Sequence, residues 1–281
     1  QQRRRRTFIF AYRNDTKYAE DVADAIQYIN KSKLEENRQS MNRVLVHDGF
    51  FAETFPVYDV DSKQMKIVEL PEGIGELSEE FEFNFENTGV MKDGVVYTTK
   101  TMPKYEGNVT TLGDIMEKEE VDKKYFIPKE KLYYTNPNIT HSDETHGKLP
   151  KEERQTWQYI KGAKKLARKS SGGHEYIFSE GAIPMVDDED KPARTMLTSE
   201  GGFNRSTHIV KDKKTGNIRL LTAGETERIQ GFPTDHTKYC LVNGETVEMP
   251  LNKRRFMMGN ALVVNLIADM EETLDKIFEK E

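Results

Sequence analysis

"RLLTAGETERIQGFP", residues 219–233, is the stretch on which the reading of this chain turns. Thr222 and Glu225 stand at capping-box spacing, where each side chain can satisfy the other's backbone N–H, so a helix is predicted over 223–230. Gly231 and Pro233 end it, since glycine leaves a helix cheaply and proline cannot continue one. Beyond it, "GNALVVNLI" (259–267) opens a second helix predicted over 261–279. There Leu262, Val263, Leu266, Ile267, Met270, Leu274, Ile277 and Phe278 recur at helical spacing, with Asn260 or Gly259 at the start. Before it, "RTMLTS" (194–199) and "STHIVKD" (206–212) read as strands joined by a Gly201-Gly202 turn, and "KKTGN" (213–217) as a hairpin turn.

Farther upstream, residues 148–169 carry eight Lys/Arg against two Glu and read as a basic helix bearing Trp157 and Tyr159. From about 34 to 140 the pattern breaks into short strands at "RVLVHDGFF" (43–51), "FPVYDVD" (55–61), "KIVEL" (66–70) and "GVVYTT" (94–99), with one short helix at "TLGDIMEKEE" (111–120). The chain opens on "QQRRRRTFIFAYRND" (1–15). Thr7–Tyr12 reads as a buried strand, with Asn14, Asp15 and Thr16 as caps for a helix over 17–33. In an extended chain Gln2, Arg4 and Arg6 share one side, a row of donors suited to an anion such as phosphate. A solvated basic tail or an import signal fits the same residues.

With 281 residues, 32% of them charged, the chain is long enough for one large domain or two smaller ones. No apolar run reaches the roughly 18–20 residues of a membrane span, and no apolar segment follows the arginines as in a secretory signal. The single cysteine, Cys240, excludes an internal disulfide framework and a multi-cysteine zinc site. The six histidines show no metal-ligand spacing, and no metal is expected. A soluble, intracellular protein is expected. The net charge of −6 argues against nucleic acid only weakly, because local charge decides where a phosphate backbone sits.

Taken together and in order, three stretches resemble the C-terminal motifs of the DNA (cytosine-5) methyltransferases. Residues 1–15 resemble the family's eighth motif, Gln-x-Arg-x-Arg followed by a strand and Arg-Asn-Asp. Residues 219–233 are similar to the ninth, Arg-x-Leu-Thr-Pro-Arg-Glu-x-x-Arg-Leu-Gln-Gly-Phe-Pro, with Ala223-Gly224 where Pro-Arg is usual. Residues 259–267 match the tenth, Gly-Asn-Ala/Ser-Val leading into a helix. Between them "KPARTMLTSEGGFNRSTHIV" (191–210) resembles the end of the variable region that recognises the target sequence.

The resemblance implies an α/β fold: the C-terminal remnant of a Rossmann-like, S-adenosylmethionine-dependent methyltransferase domain plus an α+β target recognition domain. Residues 1–33 would close the catalytic domain, 34–215 form the recognition domain, and 216–281 carry the ninth and tenth motifs back to the catalytic domain. Such enzymes flip cytosine out of the duplex, attack it with a Pro-Cys-Gln cysteine, hold it with a Glu-Asn-Val glutamate and methylate C5. Neither motif occurs in this sequence, nor does a Phe-x-Gly-x-Gly cofactor loop.

By the resemblance, Gln2, Arg4 and Arg6 face the target cytosine. Asn260, Ala261 and Leu262 line the methionine end of an S-adenosyl-L-methionine pocket that is incomplete in this chain. Gly201, Gly202, Asn204 and Arg205 read the major groove. Lys161, Lys164, Lys165 and Arg168 contact phosphate, with Arg228 also DNA-facing. The expected partners are double-stranded DNA and an N-terminal catalytic part, in the same polypeptide or a separate subunit, with no membrane. The setting implied is a bacterial or phage restriction-modification system, in the cytoplasm at the nucleoid. Three readings are open: the C-terminal portion of a longer enzyme, the recognition subunit of a split one, or a sequence-specific DNA-binding module without chemistry. The absent initiator Met favours the first, and the chain alone is expected to be inactive.

Overall fold

The computed structural model describes residues 6–26, 31–73, 75 and 81–281. By contact the chain divides into two compact units, Thr7–Gly107 with Asn265–Glu281, and Gln1–Arg6 with Asn108–Val264.

In the first unit, helix α1 (Lys17–Ile26) begins where Thr16 Oγ1 accepts from Ala19 N at 3.1 Å. The Glu281 carboxylate accepts from the N–H groups of Lys17 and Tyr18, both at 2.9 Å, so an acidic side chain meets the positive end of the helix. Helix α2 (Arg38–Arg43), a π-turn (Val44–Asp48) and helix α3 (Phe50–Thr54) follow. The predicted strand over 43–51 is therefore helical. Met41, Val44 and Leu45 are buried at helical spacing, and that one-sided burial outweighs the β-branched residues' strand preference.

A three-stranded antiparallel sheet in the order β1-β3-β2 completes the unit, from β1 (Lys66–Glu69), β2 (Thr88–Lys92) and β3 (Val95–Thr99). All five residues of the central β3 are buried. Tyr18, Val22, Phe50, Met65, Tyr97 and Met270 share its core. "FPVYDVD" contributes only the isolated bridge Val57 to Pro103. Thr7–Tyr12 joins no ladder among the described residues, although its burial alternates as a strand's would. Phe8 and Phe10 pack on the core while Ile9 is 87% exposed, and Phe10 stacks on Phe50 at 4.2 Å. Alternation records which face is wet, but a strand also needs a neighbour to bond.

The second unit contains helices α4 (Leu112–Ile115), α5 (Lys129–Leu132), α6 (His141–Thr145) and α7 (Trp157–Lys161). Hairpins β4–β5 (Lys164–Lys169, Glu175–Glu180) and β6–β7 (Ile209–Lys211, Ile218–Leu220) follow, then α8 (Ala223–Ile229), hairpin β8–β9 (Tyr239–Val242, Glu245–Glu248) and α9 (Leu251–Asn260). The basic helix predicted over 148–169 is thus a 3-10 turn (Glu153–Gln155), the five-residue α7 and strand β4. Lys164 Nζ donates to the carbonyls of Tyr159 (2.5 Å), Gly162 (3.0 Å) and Ala163 (3.2 Å), satisfying the end of α7 and stopping it there. The helix predicted over 111–120 is one turn, capped by Thr111 and Asp114, and 194–199 is not a strand. The predicted 261–279 helix runs Val264–Phe278, and Gly259-Asn260 end α9 instead of opening it. The buried face of α9 is Arg254, Arg255, Met258 and Gly259, so no apolar stripe announces it.

The capping box at Thr222 is formed, with Thr222 Oγ1 accepting from Glu225 N at 3.1 Å and Glu225 Oε2 from Thr222 N at 2.8 Å. Glu225 also takes both ends of the Arg219 guanidinium at 2.7 Å, and Asp212 takes Nε at 2.9 Å. All three side chains are at most 1% exposed. Burial opposes the charge on Arg219, but the two carboxylates outweigh it and hold its pKa above the ordinary value. Removing one partner of such a pair strands a charge away from water. Glu225→Ala should therefore cost about 3–5 kcal/mol of stability, read from urea unfolding, whereas an exposed pair such as Lys276–Glu272 should cost under about 1.

Candidate functional site

The second unit gathers the glycine loop, the end of α8 and the end of α9. The loop between Ser199 and His208 is fastened at its base: Glu200 accepts from His208 N at 3.0 Å and its other oxygen lies 2.9 Å from His208 Nδ1. Both side chains are buried. Arg194 forks onto Asp187 and donates to the Ser206 and Thr207 carbonyls at 3.2 Å. Asp187 in turn accepts from Ile209 N at 2.9 Å. Burial would raise the Asp187 pKa, but the Arg194 fork and neighbouring cations outweigh it and hold it below the usual carboxylate range. Thr207 Oγ1 donates to the Gly202 carbonyl at 2.7 Å.

Two glycines permit this packing. Gly201 has φ +79°, and the Arg255 guanidinium lies where its Cβ would be. Arg255 donates to Leu221 O at 2.5 Å, tying the loop to the start of the 219–233 stretch. Gly259 lies against the backbone of Leu197 and Thr198, close enough that a methyl group would overlap it. Gln230 closes the arrangement: its Nε2 donates to Met258 O at 2.5 Å, and its own carbonyl accepts from Val264 N at 2.8 Å. The residues that resemble the ninth and tenth motifs are thus joined on both sides of 259–263.

Gln2 and Arg4 lie outside the described residues; Arg6 is exposed. Asn260 and Leu262 are exposed and Ala261 is half-buried against the cluster around Met258. Gly202 and Asn204 are exposed on the loop. Arg205 points into the fold: it donates to Gly162 O at 3.1 Å and to Gly181 O, and pairs with Glu180 at 3.1 Å. Arg228 is spent on Ile115 O (2.7 Å), Thr234 (2.6 Å) and Glu117 (2.8 Å). Those partners crowd Gly224, where a Cβ would come within 2.9 Å of the Thr234 side-chain methyl.

Two of the expected phosphate contacts are corrected. Lys161 is 1% exposed and donates to Thr207 O at 2.7 Å; Lys164 is 4% exposed and closes α7. Burial pushes Lys161 down to about 8 and lowers Lys164 as well. On a true basic helix both would share a wet face; here the chain turns between them. Lys165 and Arg168 are exposed on opposite faces of β4, Arg168 lying 3.7 Å over the Phe178 ring. Sequence reasoning overlooked Phe203, an aromatic ring set among Gly202, Asn204 and Arg205. It is 52% exposed and packs T-shaped with buried Trp157, the ring centroids 5.0 Å apart at 72°.

A family model for C-5 cytosine-specific DNA methylases matches residues 1–276. The chain belongs to this family. It is 36% identical over 277 residues to the Type II methyltransferase M.Sau3AI of Staphylococcus aureus, covering 98% of this chain and 55% of that protein. The chain thus spans about half the length of this relative. Among solved structures, the Entamoeba histolytica methyltransferase EhMeth aligns with 94% of this chain and 70% of its own at 12% identity and a TM-score of 0.32. No helix among the described residues is long and apolar enough to cross a membrane.

Gly259→Ala should cost about 1–3 kcal/mol through overpacking on Leu197 and Thr198, measured by thermal unfolding. Lys161 gives a pH signature. Below pH 8 both folded and unfolded chains keep its proton; from about 8 to 10.5 only the unfolded chain does, so stability rises with pH. Urea midpoints of the wild type should therefore gain on those of Lys161→Met between pH 8 and 10; a constant difference would refute the lowered pKa.

Proposed function

We propose that this chain is the C-terminal portion of a DNA (cytosine-5) methyltransferase, recognising duplex DNA and completing the pocket for cytosine and S-adenosyl-L-methionine. The observation that carries the reading is the Gln230 clamp, which holds the Gly259–Val263 segment beside the 219–233 stretch and the glycine loop. A surface that reads DNA and a wall that faces the methyl donor must keep a fixed relation, and packed backbone gives one. The proposed parts are 1–33 as the end of the catalytic domain, 34–215 for recognition and 216–281 as the return. Restriction-modification is the setting that best suits the Staphylococcus aureus relative's Type II name.

Asn260 and Leu262 offer an exposed amide beside an exposed apolar side chain, a pairing that suits the polar methionine end of S-adenosyl-L-methionine. When bound, that cofactor supplies the methyl group. Gln2, Arg4 and Arg6 brace the cytosine and its phosphate, and Lys165 and Arg168 contact the duplex backbone. The cysteine of a Pro-Cys-Gln motif is to come from an N-terminal catalytic part; Cys240, half-buried on hairpin β8–β9, takes no part.

The test is methyl transfer from labelled S-adenosyl-L-methionine to duplex DNA. The chain alone should label nothing, and the chain joined to a catalytic part bearing Pro-Cys-Gln should label cytosine C5. Labelling by the chain alone would overturn the assignment and give Cys240 a role. No labelling with the catalytic part, alongside salt-sensitive, sequence-dependent DNA binding, would favour the binding module.

A further inference from the structure

Resting on the reading above, we propose that Phe203 and Asn204 form a thymine-reading pair in the major groove, the ring against the C5-methyl and the amide donating to O4. Of the side chains near the loop tip, Arg205 has both ends of its fork committed to the Gly162 and Gly181 carbonyls and its charge to Glu180. It braces the loop. The outward groups are the half-exposed Phe203 ring and the Asn204 amide.

Their chemistry is specific. Asn204 Oδ1 accepts from Ser206 N at 3.0 Å and Ser206 Oγ at 2.8 Å. The backbone N–H fixes the amide with its oxygen inward, whatever the hydroxyl does, so Asn204 presents Nδ2 as a donor. Asparagine reading adenine needs that oxygen as an acceptor for N6; with it turned inward only a single contact to N7 is left, and adenine has no methyl for the ring to cover. Cytosine offers only the N4 donor there and is excluded, with or without a C5-methyl. Guanine has acceptors but nothing for an apolar ring to cover. Thymine presents an acceptor and a methyl group side by side.

The ring is also held ready. It packs T-shaped with Trp157, itself 5% exposed, the preceding Gly202 carbonyl is held by Thr207, and those of Ser206 and Thr207 farther along the loop by Arg194. Little ordering remains to be lost on binding, which is the condition for an exposed apolar group to add affinity.

The experiment uses this chain with its catalytic part on a randomised duplex library, methylated sites being read by bisulfite sequencing. The wild type should require thymine at one position. Replacing that thymine by uracil, which deletes only the methyl, should lower kcat/KM about tenfold. Phe203→Ala should treat thymine and uracil alike at that position while keeping the rest of the site. Asn204→Asp, which keeps the acceptor for Ser206 but turns the outward donor into an acceptor, should shift that position towards cytosine. A site without an invariant thymine overturns the proposal, as does equal use of uracil by the wild type. So does a Phe203→Ala enzyme that still discriminates thymine from uracil or that loses all sequences equally, the latter marking a structural or wedging ring. If the wild type methylates nothing in the library, the functional reading itself fails.

Discussion

The Arg219 guanidinium, sealed from water between Asp212 and Glu225, is the contact on which the second unit depends. An isolated charge there would be prohibitive, and its cost is offset by four hydrogen bonds, three to carboxylate oxygens and one to the Leu220 carbonyl. Glu225 meanwhile caps α8 and accepts from Glu117 N at 2.7 Å, so one carboxylate fixes strand β7, the start of α8 and the turn after α4. Arg228, one turn later, binds that same turn through Ile115 and Glu117. The far end of α8 then delivers Gln230 to α9. A chain of polar contacts runs from a hairpin to the proposed cofactor-facing segment, and apolar packing fills in around it.

That dependence explains what could be read in the sequence. The box Thr222–Glu225 and the stop at Gly231 were legible because capping is local: hydrogen bonds within four residues decide it. The hairpin at 213–217 was legible for the same reason. The helix α9 was not, because its buried face is arginine and glycine, residues that bury only when a partner elsewhere answers them. Likewise 43–51 looks like a strand until Met41, Val44 and Leu45 are seen to share a core with the central strand of the sheet. Local chemistry was readable and long-range burial was not. Motif resemblance linked 219–233 with 259–267, and Gln230 bonds to the backbone on either side of 259–263.

The basic residues show the same limit with more consequence. Charge counted along 148–169 suggested a face for phosphate, yet Lys161 and Lys164 serve as donors to carbonyls at a helix end and in a loop. Arg194, Arg205 and Arg255 do the same beneath the loop. A long cationic side chain can reach several carbonyls that no N–H can, so it suits an irregular loop that must be stiff. Lysine and arginine in this chain therefore divide into two kinds, and their hydrogen-bond partners, not charge along the sequence, tell them apart.

Stiffness has a direct bearing on sequence recognition. A mobile loop can satisfy several bases by small adjustments and discriminates poorly among them. A loop whose carbonyls are already bonded presents one fixed pattern of groups, and a base that mismatches it leaves a donor or a methyl unanswered. Here each inward bond made by Arg205, Asn204 Oδ1 and Thr207 removes a way for the loop to adapt. Under the proposed reading, the cations that appeared to be lost to DNA contact act on specificity instead, by holding still the few groups that remain outside.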